Sequence, residues 1–540
     1  MTSFPLFRNR REFVSPESVP RMSGLRMSVL RLSASAVVAV TVLPFGGAQA
    51  QPPGPGVREV SAIVDVAAAR ADCLPGSAPE TGLQGDVPAA DRTSGRSRQG
   101  YSCNITRLGG YPGRGGGITS TSFEHCAYLG TFFPTHLLDP AAGVQVVDAA
   151  VPTAPVRTGV LSEPAMLAGT WETLKVHQGR KLLVGAGVPA LTGYGLLSIY
   201  DVSDCAHPRL LNPGPGTDLT LPLPLTAHEG GFSPDGNTYW ASGTAPGLVS
   251  AVDISDPTAP RVIWQGLPGL SMHGMGFSPD GTRMYLSDNL GGLTVLDTGE
   301  VQRRQPNPRV GVISQTRWSD GWATQHSIAV TYGGRPYLFT VDEAGSGGVK
   351  LIDVSDPAAP RIAHAIKLEI NLPGNQDALM ASSMGGSIFA YDSHYCAADR
   401  PNDPTALACG WASSGIRVFD VRDPFHPREI AYYNPPAQAD RGRELWNSPH
   451  VAASVIGVPI LELPTVLGSA LSGRFDPGRA LSERSGMILG GDLTSDWCFS
   501  PPEWRGNLLY VTCNDSGFMT LAIDPAVYTP PADQLSTVGS

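Results

Sequence analysis

One phrase recurs along this chain: a strand of alternating hydrophobic residues closing on an aspartate, then Asp-Pro, then a second proline three residues on. The clearest copies are 197–204, 249–257, 349–357 and 416–424, with weaker ones at 144–148, 293–297 and 518–524, seven in all. Each copy reads as a strand, an Asx or Asp-Pro turn, and a second strand such as Arg261-Val-Ile. Upstream, Phe232-Ser-Pro-Asp-Gly and Phe277-Ser-Pro-Asp-Gly are tight-turn signals that lead into Tyr239-Trp-Ala and Met284-Tyr-Leu. Four strands in each unit of roughly 45 residues predict propeller blades, because a lone four-stranded sheet cannot bury both faces and a ring of them can. The expected fold is all-β, a seven-bladed β-propeller of four-stranded blades. Its last blade lacks one strand, and the N-terminal stretch Asn104-Ile-Thr-Arg-Leu108 has no hairpin partner, so that strand is expected to close it.

The repeats occupy residues 102–524, with two longer interruptions at 368–392 and 435–495 that should arch over one face. Residues 51–101 are expected to be a flexible N-terminal segment and 525–540 a C-terminal tail. Residues 1–50 have the form of an export signal: Arg21, Arg26 and Arg31 precede an apolar run at 34–45, and Ala48-Gln49-Ala50 supplies a small-x-small cleavage site, predicting a secreted or extracytoplasmic protein starting at Gln51. Met1, Met22 and Met27 all stand as possible starts of that signal. No later run approaches the roughly 18 apolar residues of a membrane span. The formal net charge of -10 speaks against nucleic-acid binding.

The repeat copies, Leu351-Ile-Asp353 among them, resemble the LVIVD-repeat family of propeller proteins. The stretch from Ser393-His394-Tyr395-Cys396 through Cys409-Gly410 to Gly415-Ile-Arg-Val-Phe-Asp420 is similar to that of exported, actinobacterial-type members. The resemblance implies the propeller and an extracellular location, and it implies no common activity.

Eight cysteines suit an oxidising compartment. Cys396 and Cys409 flank one short loop between strands, and Cys498 and Cys513 another, so each pair is placed to staple neighbouring strands. For Cys73, Cys103, Cys126 and Cys205 the connectivity stays open.

Four histidines share one address, just before or within the innermost strand of four successive blades. His228, His273 and His326 precede the aromatics Tyr239, Tyr285 and Tyr337 by 11, 12 and 11 residues, and His394 precedes Leu407 by 13. From there the imidazoles would converge at the channel mouth and suit a transition-metal ion such as Zn, Cu, Fe or Mn, with Glu229 and Asp496 as partners that orient them. Carotenoid-cleaving oxygenases, also seven-bladed, hold iron on four histidines, a parallel of fold alone. Two alternatives stand beside this: histidines inherited with the blade that bond within it, and a polar ring that binds a ligand without metal. His125, His177 and His450 fall outside the pattern, and His207 and His426 belong to the Asp-Pro turns. Hydrolase elbow, phosphate loop and His-Glu-x-x-His motifs are absent from the sequence. Two functions remain: a binding or interaction scaffold presenting one face to a protein, polymer or small molecule at the cell envelope or outside the cell, or a metal-dependent enzyme, oxidoreductase, lyase or hydrolase.

Overall fold

In the computed structural model, the described residues are 56–60, 66–132, 139–187, 194–212, 217–220, 227–244, 246–345, 347–375, 377–379, 390–438, 441, 444–451 and 495–532. The export signal expected at 1–50 and much of both interruptions lie outside them. Seven antiparallel sheets form the seven blades, and the few helices are short. In chain order the blades span 120–161, 175–210, 229–266, 272–318, 322–366, 395–434 and 503–523, numbered 1 to 7.

The repeated aspartates shape the turns. In blade 3, Asp253 Oδ1 accepts the Ser255 N–H at 3.0 Å while Oδ2 accepts from Arg261 at 2.9 Å, and Asp256 accepts the Thr258 N–H at 3.0 Å. Asp353 and Asp420 repeat the Asx turn in blades 5 and 6. The phrase thus codes for a corner of the blade, by side chains that bond their own backbone two residues on.

Each pair of consecutive blades closes over its own apolar cluster. Phe123, Tyr128 and Val146 of blade 1 meet Leu183 and Tyr200 of blade 2, and so on to Tyr510 and Phe518 of blade 7 against Ala127 and Leu129 of blade 1. Strand alternation thus serves both faces of every blade, which only a closed ring allows. The ring closes as the strand count predicts: Ile105–Tyr111 pairs antiparallel with Gly517–Ile523 as the outer strand of blade 7. The innermost strand of that blade is the short Glu503–Arg505, and 496–498, read from the sequence as that strand, contributes an isolated bridge between Cys498 and Ala412.

The segment expected to be a flexible lead-in is held to the ring. Arg58–Val60 adds a parallel fifth strand to blade 4, and Tyr101–Cys103 adds one to blade 6. Between them Glu80 pairs with Arg417, which has no exposed surface and also bonds Glu429 at 3.0 Å. At the other end Tyr528 packs on Trp504 at 4.9 Å, so the C-terminal tail begins docked.

All eight cysteines pair. Cys396–Cys409 and Cys498–Cys513 form as their spacing suggests, the former between directly opposed residues. Cys126–Cys205 ties blade 1 to the turn of blade 2, and Cys73–Cys103 ties the N-terminal segment to its own edge strand. Four disulfides are consistent with an extracytoplasmic location. Among the described residues no helix is long and apolar enough to cross a membrane.

Candidate histidine–glutamate centre

His228 and His394 stand immediately before the innermost strands of blades 3 and 6, and His273 and His326 lie within those of blades 4 and 5. The pairing register slips between Met272 and Met275 and again between Thr324 and His326. Such bulges turn a side chain away from the regular pleat. The four imidazoles do meet, and they meet around three buried carboxylates.

Glu229, the first residue of blade 3, has no exposed side-chain surface and accepts from two imidazoles: Oε2 from His273 Nδ1 at 3.0 Å and Oε1 from His326 Nδ1 at 2.9 Å. Its carboxylate lies against the backbone at Gly274, where a Cβ would stand 2.1 Å from Oε2, so only glycine leaves room for it. Glu172, on the loop entering blade 2, splits its oxygens. Oε2 is 3.5 Å from His228 Nε2 and 3.6 Å from His273 Nδ1, and Oε1 is 3.2 Å from His394 Nε2. Glu343, near the end of a blade 5 strand, reaches His394 Nε2 at 3.0 Å and His273 Nε2 at 3.9 Å. His394 donates from Nδ1 to the Phe499 carbonyl at 3.2 Å and stacks on the Phe499 ring.

A rim surrounds this core. Lys175 Nζ sits 3.7 Å from Glu229 Oε1 and 4.6 Å over the ring of Tyr395, and Gln325 Nε2 donates to Glu172 Oε2 at 3.1 Å. The side chains of His228, Lys175 and His326 keep 15, 19 and 20 % of their surface, so the centre opens to solvent on that side.

Burial alone would raise the Glu172 carboxyl, but His273 and the hydrogen bond from His394 hold it down to about 2. Glu229 is likewise held low against its burial, by Lys175 and the two imidazoles it accepts from. Burial would lower His273 and His394. The carboxylates outweigh it, Glu172 foremost for His273 and the hydrogen bonds to Glu172 and Glu343 for His394, raising them to about 9 and about 10. Burial lowers His228 despite Glu172. At neutral pH the protonated imidazoles of His273 and His394 therefore face the ionised carboxylates of Glu172 and Glu229.

Two ligand triads are preassembled, Glu172–His228–His273 and Glu172–Glu343–His394, each with donor atoms within 4.8 Å of one another. Edges of roughly 3.4 Å separate donors around an ion bonded tetrahedrally at about 2.0–2.2 Å, close to the spacings here. His326 belongs to neither triad; it is tied to Glu229. Glu229, read from the sequence as an orienting partner, hydrogen-bonds His273 and His326 at Nδ1. Asp496 does not join this centre: its oxygens accept the Asp515 and Ser516 N–H groups at 2.8 Å each, beside buried His450, whose Nδ1 bonds Asp515 at 2.9 Å. Burial and neighbouring Asp515 raise Asp496 to about 7. Sequence reasoning missed Glu172 and Lys175. The one available signal was Trp171-Glu172, at the histidines' address one blade earlier.

No family model and no curated protein matches the chain. Among solved structures it is similar to a candidate 6-phosphogluconolactonase from Bacteroides uniformis, at 15 % identity over 57 % of this chain and 82 % of that one, TM-score 0.39. It is similar to the periplasmic gluconolactonase of Pseudomonas aeruginosa at 14 % identity over 56 % and 80 %, TM-score 0.39. The computationally designed Ika8 protein aligns at 8 % identity over 77 % and 99 %, TM-score 0.38. At these levels the likeness carries no argument about chemistry.

Proposed function

We propose that this protein is an exported, metal-dependent propeller enzyme whose ion sits among Glu172, His228, His273, Glu343 and His394, with Glu229 positioning His273 and His326. The observation that supports this over a plain scaffold is the burial of three carboxylates against four imidazoles at one point of the ring. Taking charges out of water costs several kcal/mol for each ion before pairing repays it, and a scaffold that only displays loops has no use for such a cluster. Strongly perturbed groups gathered at one partly open point of the ring support a functional site.

The mixed nitrogen and oxygen set suits Zn, Fe or Mn. An ion there, open toward the His228 side, would lower the pKa of a bound water and supply a nucleophile at neutral pH. On the same footing, the repeat phrase supports kinship with the LVIVD-repeat proteins, and the disulfides support export.

Equilibrium dialysis of the protein from Gln51 onward against Zn²⁺, Mn²⁺ and, anaerobically, Fe²⁺ tests the reading. We expect tight binding of at least one of these ions, lost in a folded His273→Ala/His394→Ala variant. Equal binding in parent and variant, or none in either, overturns it and returns the search to scaffold ligands.

A further inference from the structure

The two triads share Glu172, and each is bordered by a fourth donor. On one side His394 Nε2 lies 3.2 Å from Glu172 Oε1 and 3.0 Å from Glu343 Oε2, and His273 Nε2 borders them 3.9 Å from Glu343 Oε1. On the other stand Glu172 Oε2, Glu229 Oε2, His228 Nε2 and His273 Nδ1, linked by 3.5, 3.6 and 3.0 Å. Each set has two carboxylate oxygens and two imidazole nitrogens. Glu172 gives one oxygen to each set, and His273 gives one ring nitrogen to each.

We propose that the centre holds two divalent ions bridged by Glu172, with His273 between them. This rests on the metal reading above and sharpens it to a reaction class. A single ion needs three or four donors, whereas this point gathers eight from six residues and leaves neither oxygen of Glu172 and neither nitrogen of His273 outside a set. A second observation comes from Gln325. It is fully buried with its amide nitrogen on Glu172 Oε2, and its Oε1 has no hydrogen-bond partner. A buried acceptor left open on a side chain that bonds Glu172 is a place for a further donor such as water.

Filling the second set moves protons in a defined way. His273 Nδ1 donates to Glu229 in the empty centre, so the second ion must displace that proton to solvent and leave the ring bound through both nitrogens. Paired ions would clamp the attacking and leaving oxygens of a displacement, so the proposed reaction is hydrolysis of an ester: a water that gives its proton to solvent would bond through oxygen to the acyl or phosphoryl centre, the ester bond to the leaving oxygen would break, and the alkoxide released would take a proton from solvent.

The test is ion counting by inductively coupled plasma mass spectrometry on Zn²⁺-loaded protein, with Cu²⁺-loaded samples read by electron paramagnetic resonance. The parent should hold two ions per chain and give a magnetically coupled Cu²⁺ spectrum. His228→Ala, which takes a donor from one set only, and Glu343→Gln, which takes one from the other, should each hold one ion and give an isolated Cu²⁺ signal, with circular dichroism unchanged. One ion in the parent overturns the two-ion proposal and leaves the metal reading standing. No ion overturns both. Two ions in both single variants place the second ion elsewhere and overturn the assignment of these sets.

Discussion

His273 and His326, on adjacent blades, donate their Nδ1 protons to opposite oxygens of one buried carboxylate, Glu229, at 3.0 and 2.9 Å. One acceptor thus fixes the orientation of two rings that the chain separates by more than fifty residues. Replacing it by Glu229→Gln keeps the volume and withdraws the charge. Losing the partner that orients a ligating imidazole costs 10–100-fold in metal affinity, so calorimetric Zn²⁺ titration should show a loss of that order with the fold intact. An unchanged affinity means that Glu229 does not position the ligands.

Gly274→Ala tests the same carboxylate by steric means. The new Cβ would fall 2.1 and 2.3 Å from the Glu229 oxygens, and the glycine's backbone does not need a left-handed conformation. Metal affinity should fall at least as far as in Glu229→Gln, while Gly311→Ala, where a Cβ meets nothing within 4 Å, leaves it unchanged.

Protons and metal compete for this centre, and the ion-free protein should show it. His273 and His394 are raised to about 9 and about 10, above the unfolded value of roughly 6.5. The stability they lend is fully present below about pH 6.5 and is lost as pH rises through 9 to 10. Glu172, held to about 2, acts in the opposite sense: its contribution is present above about pH 4.5 and is lost on acidification toward 2. Thermal unfolding of the ion-free protein should therefore give a Tm that falls between about pH 7 and 10. With Zn²⁺ bound those protons are already gone, and the alkaline fall should be largely absent. A flat alkaline profile for the ion-free protein contradicts the charge pairing.

The N-terminal segment should be integral to the fold. Glu80→Ala leaves the fully buried Arg417 cation with Glu429 as its remaining carboxylate. Breaking one partner from a buried pair costs about 3–5 kcal/mol, and urea unfolding monitored by fluorescence should read a loss in that range. A change under about 1 kcal/mol would fit a surface pair instead.

The disulfides differ in the length of chain they close. Cys126–Cys205 spans 79 residues and Cys396–Cys409 spans 13. Chain entropy makes the former worth about 1.5 kcal/mol more, so the double serine variant at 126 and 205 should unfold at lower urea than that at 396 and 409.

Much of this architecture was legible because blades repeat. The Asp-Pro phrase marked seven corners, and the unpartnered strand near Ile105 foretold how the ring closes. The four histidines could be read together because duplication keeps an address constant. Their carboxylates could not: Glu172 comes from a loop and Glu343 from a second strand, so neither shares the histidines' position, and only tertiary packing brings them within 4 Å. The held N-terminal segment hid for a related reason. Its anchors are side-chain bonds to residues about three hundred positions away, such as Gln84 to Glu429 at 3.0 Å, which leave no periodic trace. Asp496 was expected to orient the histidines, yet its two oxygens accept the Asp515 and Ser516 N–H groups instead.

The most direct measurement is a crystal structure of the Zn²⁺-loaded protein with diffraction recorded on both sides of the zinc absorption edge. The account predicts anomalous density beside Glu172, at bonding distance of about 2.0–2.2 Å from His394 Nε2 and, for the second ion, from His228 Nε2. A map with no anomalous density there, and with His273 and His326 still bonded to Glu229, would contradict it.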